Sequence, residues 1–193
     1  GRPSREAQFW PERPDILGGC DLRDGGTWAG ITCSGRFAAL TNFRDPLGIK
    51  ADAPSRGQIV SRFLQEEGPA KTYLAFLEEN GRRYNGFNVI FGPTGDLYYY
   101  SNHGGGRPLT PGIHGLSNAL LDVPWPKVSL GKIRLEEVLA SGQKPEPDRL
   151  FELLADTSRP EDQDLPNTGV GLEWERLLSS LFIASPIYGT RSS

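Results

Sequence analysis

The apolar positions of this chain change period several times, and each change marks an element. Residues 27–33 and 36–43 are short β-prone runs separated by Ser34-Gly35. Two residues ending in glycine between such runs favour a tight hairpin, with Ile31, Cys33, Phe37 and Ala39 supplying part of its buried faces. The period then lengthens. Ser55 is placed to cap a helix over 56–67, where Ile59, Val60, Phe63 and Leu64 share one face and Gly68 stops the run. Pro69 suits the first turn of a second helix carrying Tyr73, Leu74, Phe76 and Leu77, with Gly81 past its end. Strand character returns at 87–91 and 97–101, on either side of a Pro93-Thr94-Gly95-Asp96 turn, and a further strand is expected over about 113–118.

The second half reads as helical over 127–140 and 148–155, followed by a polar, proline-containing loop over 157–171. A last apolar run, 181–184, has the look of a strand. The opening, 1–14, is rich in proline and arginine and reads as an extended arm. There is no internal repeat. Strands interspersed with helix pairs, without strict β–α alternation, predict an α+β fold with mainly antiparallel pairing in one domain, 1–193.

Composition narrows the partners more than the fold. A net charge of −3 argues against nucleic acid, or an anionic membrane, as an obligatory partner. No apolar run approaches the roughly 20 residues that span a bilayer, and no basic-then-apolar segment opens the chain. Cys20 and Cys33 lack partners at metal-ligand spacing and are too few for a disulfide scaffold, so a reducing compartment, the cytoplasm, is the expected location. The sequence contains no methionine, so as given it begins after its initiator.

Several strings imitate known chemistry. His103-Gly104-Gly105-Gly106 and Gly115-Leu116-Ser117-Asn118-Ala119 resemble the oxyanion loop and nucleophile elbow of a Ser-His-Asp hydrolase. The elbow needs glycine two places after the serine, where Ala119 stands, and it must lead into a helix that Pro124 and Pro126 pre-empt. That reading is rejected. His103 and His114 are conceivable metal or haem ligands, although no dense His/Cys/Asp cluster supports them and a lone histidine is more often structural. Polar residues recur at strand ends: Thr41-Asn42, Asn85 and Asn88 around Gly86-Phe87, and Ser117-Asn118. Asparagines at several strand ends can converge as donors to an oxyanion, although they also favour ordinary strand exits. Arg191, among hydroxyl residues, could hold a carboxylate or phosphate or simply face water.

Five strings are more specific. The segments 25–31 (GGTWAGI), 38–44 (AALTNFR), 84–88 (YNGFN), 115–122 (GLSNALLD) with 124–127 (PWPK), and 188–193 (YGTRSS) resemble, in order, hallmark segments of the Asn-Arg-Asp-Glu family of transport and Golgi organisation protein 2. Family members begin with Met-Cys, a strand and the Asn-Arg-Asp-Glu signature before an Arg-Pro pair. Arg2-Pro3 matches that pair, so the signature and its cysteine are absent from these residues. Cys20 and Cys33 do not replace that cysteine.

The family is similar to N-terminal-nucleophile hydrolases of the penicillin V acylase type. That similarity implies an αββα sandwich, two antiparallel sheets between helix layers. It implies attack on an amide by an N-terminal cysteine, with asparagines holding the oxyanion. By position, Asn42 and Asn118 look like the two pocket asparagines and Arg191 like the arginine beside the catalytic amine. The expectation is a pocket for an acyl or amide-type small molecule, with hydrolysis by this polypeptide not expected without the nucleophile. No cofactor is required. The alternative implied by the resemblance is a non-enzymatic carrier of haem, lipid or acyl-coenzyme A, for which His103, His114, Tyr98 to Tyr100 and the tryptophans are the conceivable haem contacts. A scaffold for secretory-pathway organisation has no motif in the sequence.

Overall fold

The computed structural model describes residues 3–140, 142, 144–187 and 189. It divides into two compact units: Gly1–Pro111 with Ser117–Leu120, and Gly112–Leu116 with Leu121–Ser193.

The first unit is built on seven strands that pair antiparallel in chain order. They are β1 (Ser4–Trp10), β2 (Arg13–Asp21), β3 (Ala29–Thr32), β4 (Arg36–Asn42), β5 (Phe87–Pro93), β6 (Tyr98–Ser101) and β7 (Gly105–Pro108). Side chains alternate between the two faces of such a sheet. Ile16, Ala38, Leu40, Phe87, Val89, Phe91 and Tyr100 point to the face covered by α1 (Gly57–Gln65) and α2 (Ala70–Asn80), whose Ile59, Val60, Phe63, Leu64, Tyr73 and Leu77 complete the core. The rings of Phe63, Tyr73 and Phe91 meet edge-on or tilted, with centroids 5.1–5.4 Å apart, which is the favoured aromatic geometry. Tyr73 donates its hydroxyl hydrogen to the Ile59 carbonyl at 2.6 Å, and burial pushes its phenol pKa well up.

The hairpin, both helices and the strands at 87–91 and 97–101 stand close to their expected places. Ser55 serves the first helix through its backbone carbonyl, which accepts the Gln58 N–H, and no side chain caps that helix. Gly26 pins its start, because a Cβ there would lie 2.5 Å from the Gly57 carbonyl carbon.

Three expectations are corrected. The opening arm is the hairpin β1–β2; β1 is an exposed edge strand with two register shifts, so its sequence shows no alternation to read. The strand expected over 113–118 is absent, and β7 lies earlier. Strand side chains and one amide satisfy the backbone there instead: the carbonyls of Ser117, Asn118 and Ala119 accept from Thr41 Oγ1, the Arg44 N–H and Asn88 Nδ2. The run 181–184 forms no strand either. Its backbone meets the rest of the second unit through the Phe182 N–H, which donates to the Asp156 carbonyl at 2.8 Å.

The second unit contains α3 (Pro126–Leu139), α4 (Pro147–Leu154) and α5 (Leu172–Leu177), the last within a charged stretch where no helix was expected. Pro126 and Pro147 sit in the first turns of α3 and α4, where a missing N–H costs nothing. Polar contacts tie the unit: Lys127 Nζ donates to the Leu178 carbonyl at 2.8 Å, and Arg134 pairs with Asp156. The buried Glu175 carboxylate accepts both the Thr168 N–H and its hydroxyl at 2.6 Å. The fold is mixed α and β with one sheet among the described residues, and none of its helices is long and apolar enough to cross a membrane.

Candidate functional site

The ends of β4, β5 and β6 gather polar side chains that the core excludes. Thr41 and Asn88 are cross-strand partners, and Asn88 is wholly buried. A buried amide needs partners for all its polar atoms. Asn88 has them: Nδ2 donates to the Ala119 carbonyl at 2.9 Å and to Thr41 Oγ1 at 3.2 Å, and Oδ1 accepts the Tyr99 hydroxyl at 2.9 Å. Thr41 Oγ1 in turn donates to the Ser117 carbonyl at 2.7 Å. Residues 117–120 are thereby stitched into the first unit.

This stitching brings Asn42 and Asn118 together. Asn118 Nδ2 donates to the Asn42 carbonyl at 2.8 Å, and the Arg44 N–H donates to the Asn118 carbonyl at 2.7 Å. Asn42 Oδ1 is buried and has no hydrogen-bond partner. A buried acceptor left unpaired costs about 1–3 kcal/mol; among the described residues Arg36 Nε, at the other end of β4, is the one other buried side-chain atom left so. Ser117 lies in this irregular segment and not at a strand-to-helix turn, in keeping with the rejection of a nucleophile elbow.

His103 borders the same strand ends. Its ring stacks on Phe43, with centroids 4.1 Å apart and planes within 7°, and Nε2 lies 3.8 Å from Asp45 Oδ2. Gly86 makes that approach possible, since a Cβ there would stand 3.1 Å from both His103 Nε2 and Phe43 Cβ. Asn102 ties the neighbouring backbone: Oδ1 accepts the Phe87 N–H at 2.9 Å, while Nδ2 points to the carbonyls of Gly81, Tyr84 and Asn85 at 3.2–3.3 Å.

His114 belongs to the second unit. Its Nδ1 lies 2.7 Å from Asp122 Oδ2, and Asp122 Oδ1 also accepts from Lys132 Nζ at 2.8 Å and the Gly115 N–H at 3.0 Å. Burial disfavours the charged carboxylate, but these donors outweigh it and hold the Asp122 pKa well below the usual range. Asp122 occupies the left-handed region, φ 62°, which a short polar side chain with local bonds tolerates. Each unit thus contributes one of the two histidines. Of the other conceivable haem contacts, Tyr98 packs against the core and Tyr100 lies within it, while Tyr99 holds Asn88. Arg191 lies outside the described residues. Cys20 Sγ sits 3.7 Å from the Asp21 carbonyl and Cys33 is exposed. Neither is bonded to the asparagine cluster, and no group of three or more metal-ligating side chains occurs among the described residues.

Asn102, Asp45 and Asp122 are residues of these clusters that sequence reasoning did not single out, and Tyr99 was named only as a conceivable haem contact, not as the partner of Asn88. The signal for Asn102 was the abrupt polar run Ser101-Asn102-His103 after three tyrosines; the others became visible only once register was known.

Comparison with known proteins agrees with the hallmark strings, three of which (38–44, 84–88 and 115–122) supply residues of these two clusters. The family model described as Transport and Golgi organisation 2 matches residues 1–193. The Transport and Golgi organization protein 2 homolog of Bos taurus is 39% identical over 210 residues, covering 100% of this chain and 75% of that protein. The protein of the same name from Homo sapiens is 38% identical over 209 residues, with the same shares covered. The Transport and Golgi organization 2 homolog of Mus musculus is 37% identical over 209 residues, again covering 100% and 75%. With a match along its whole length and relatives well above 30% identity, the chain belongs to the Transport and Golgi organisation 2 family.

Proposed function

We propose that the first unit binds a small molecule through an acyl or amide group, with Asn42 and Asn118 as the polar contacts. The observation that carries this is the meeting of two strand-end asparagines 76 residues apart, the Asn118 side chain donating from Nδ2 to the Asn42 backbone carbonyl at 2.8 Å. Asn118 keeps a second N–H for a ligand carbonyl oxygen. Asn42 Oδ1, unpartnered, is an acceptor that a ligand amide N–H would satisfy once the side chain turns toward it. A spare donor and an unpartnered acceptor on two residues that bond each other suit an amide better than a bare hydrocarbon.

The sheet supports the wider resemblance. Its face opposite α1 and α2 carries Phe9, Leu17, Ile31, Phe37 and Ile90, by register and alternation. Phe9 and Leu17 are 55% and 38% exposed. An apolar face of this kind is where a second sheet of an αββα sandwich would pack.

The test is thermal stabilisation by N-octanoylglycine and by hemin, each titrated against the parent chain and the Asn42→Ala, Asn118→Ala and His103→Ala variants. A ligand that binds only the folded state raises the unfolding temperature. The proposal expects saturable stabilisation by the acyl amide that either asparagine variant loses. Stabilisation by hemin alone, with a Soret shift lost in His103→Ala, would replace it with the carrier reading.

A further inference from the structure

One carboxylate holds three parts of the second unit together. Asp156 Oδ2 accepts from Arg134 of α3 and from the Ser158 hydroxyl at 2.8 Å, while Oδ1 accepts the Ser158 N–H at 2.9 Å. The Asp156 carbonyl takes the Phe182 N–H at 2.8 Å. Because Asp156 stands just past the end of α4, it joins α3, α4 and the run 181–184.

Ser158 is the exposed member of this knot. It lies in an irregular stretch where Pro160 keeps the residue before it extended. Three positions on stands Glu161, exposed, followed by Asp162 and Asp164; the one cation among them is Arg159. Asp162 is engaged by Arg176 at 2.8 Å in the turn Asp162–Asp164, so Glu161 is the nearest carboxylate open to a partner. Of all the serines and threonines in the sequence, only Ser158 has a carboxylate three positions later. An exposed, extended serine followed by acid at that distance is the charge pattern that acid-directed protein kinases select.

We propose that Ser158 is a phosphorylation site for an acid-directed kinase, and that the phosphate draws Arg134 away from Asp156. In the step, the bond from Ser158 Oγ to phosphorus forms as the bond from the γ-phosphorus to the bridging oxygen of ATP breaks. ADP leaves, and the hydroxyl proton passes to the base of the kinase. The consequence follows from the geometry. Arg134 and the hydroxyl meet at the same oxygen, Asp156 Oδ2, so a phosphate on Ser158 Oγ stands within reach of the guanidinium. With about −1.5 to −2 charge near neutrality and three acceptor oxygens, it outcompetes a carboxylate for arginine. Asp156 then loses Arg134 and the hydroxyl as donors and faces a like charge, and the Phe182 anchor loosens.

Incubation of the whole chain with casein kinase II and magnesium ATP tests this, read by intact mass and by fragment mapping. The parent should take up a single phosphate, on the fragment that contains Ser158. Ser158→Ala should take up none, and Glu161→Gln should react several times more slowly. Mapping on the parent needs no variant to fold. Amide hydrogen exchange then reads the consequence: phosphorylation should speed exchange at the Phe182 N–H and leave that of Val89, in the core of the first unit, unchanged. In Arg134→Gln, where the anchor is already weakened, phosphorylation should change Phe182 far less. No phosphate on the parent, or equal uptake by Ser158→Ala, overturns the site. Phosphate on Ser158 with Phe182 exchange unmoved overturns the transfer of Arg134.

Discussion

In the first unit, Phe63, Phe87 and Phe91 have no exposure at all, and they sit within a continuous cluster contributed by strands and two helices. In the second, α4 buries none of its side chains fully and α3 buries only Val128, while Phe151 is 57% and Trp174 43% exposed. There, order comes from Asp122, Asp156 and Glu175, each accepting from two or more donors. Apolar packing is indifferent to pH and nearly so to salt; carboxylate networks are neither. The contrast explains why the asparagine cluster stands on the first unit. Holding the Asn118 amide against the Asn42 backbone requires a rigid platform, and a packed sheet provides one.

Substitutions can break this contrast, starting from the core. Phe63→Ala should destabilise the first unit by about 3–5 kcal/mol through lost burial and an unfilled cavity, read from urea unfolding followed by tyrosine and tryptophan fluorescence. Val128→Ala should cost the second unit only about 1–2 kcal/mol; equal losses would mean the two units do not differ in packing. Asn88→Ala removes the donor to Ala119 and the acceptor of the Tyr99 hydroxyl. It should cost about 1–3 kcal/mol and speed amide exchange at Arg44, whose N–H bond depends on the position of 117–120.

A smaller effect sharpens the second half of the comparison. The folded-state pKa of Asp122 is depressed below its ordinary 3.8, so its contribution is present above that value and lost as pH falls through the folded pKa. Asp122→Asn should therefore cost about 1 kcal/mol near neutrality and flatten the acid limb of the second unit's unfolding curve. An unchanged acid limb would remove Asp122 from the account. The smallest effect is expected at Arg62–Glu66, a half-exposed pair at 2.7 Å on α1. Glu66→Gln should change stability by less than about 0.5 kcal/mol.

Elements with a strong local signal were legible in the sequence: the Ser34-Gly35 hairpin, the one-faced pattern of Ile59, Val60, Phe63 and Leu64, and the turn after Pro93. The edge strand β1 was not, because an exposed edge buries neither face and leaves no alternation. The segment 113–118 reads as a strand by composition, yet its carbonyls are claimed by Thr41 and the Arg44 backbone, a decision made by residues 70 or more positions away. Polar dipeptides at strand ends mark Asn42, Asn88 and Asn118 in the sequence itself. Their meeting depends on register and a returning segment, which no local pattern encodes.

The most direct measurement of the central claim is side-chain amide NMR of the 15N-labelled chain during titration with N-octanoylglycine. The account predicts that the NH2 resonances of Asn42 and Asn118 shift together and saturate, while those of Gln163 and Asn167 in the second unit stay in place. Shifts confined to the second unit, or none at Asn42 and Asn118 at saturating ligand, would contradict it.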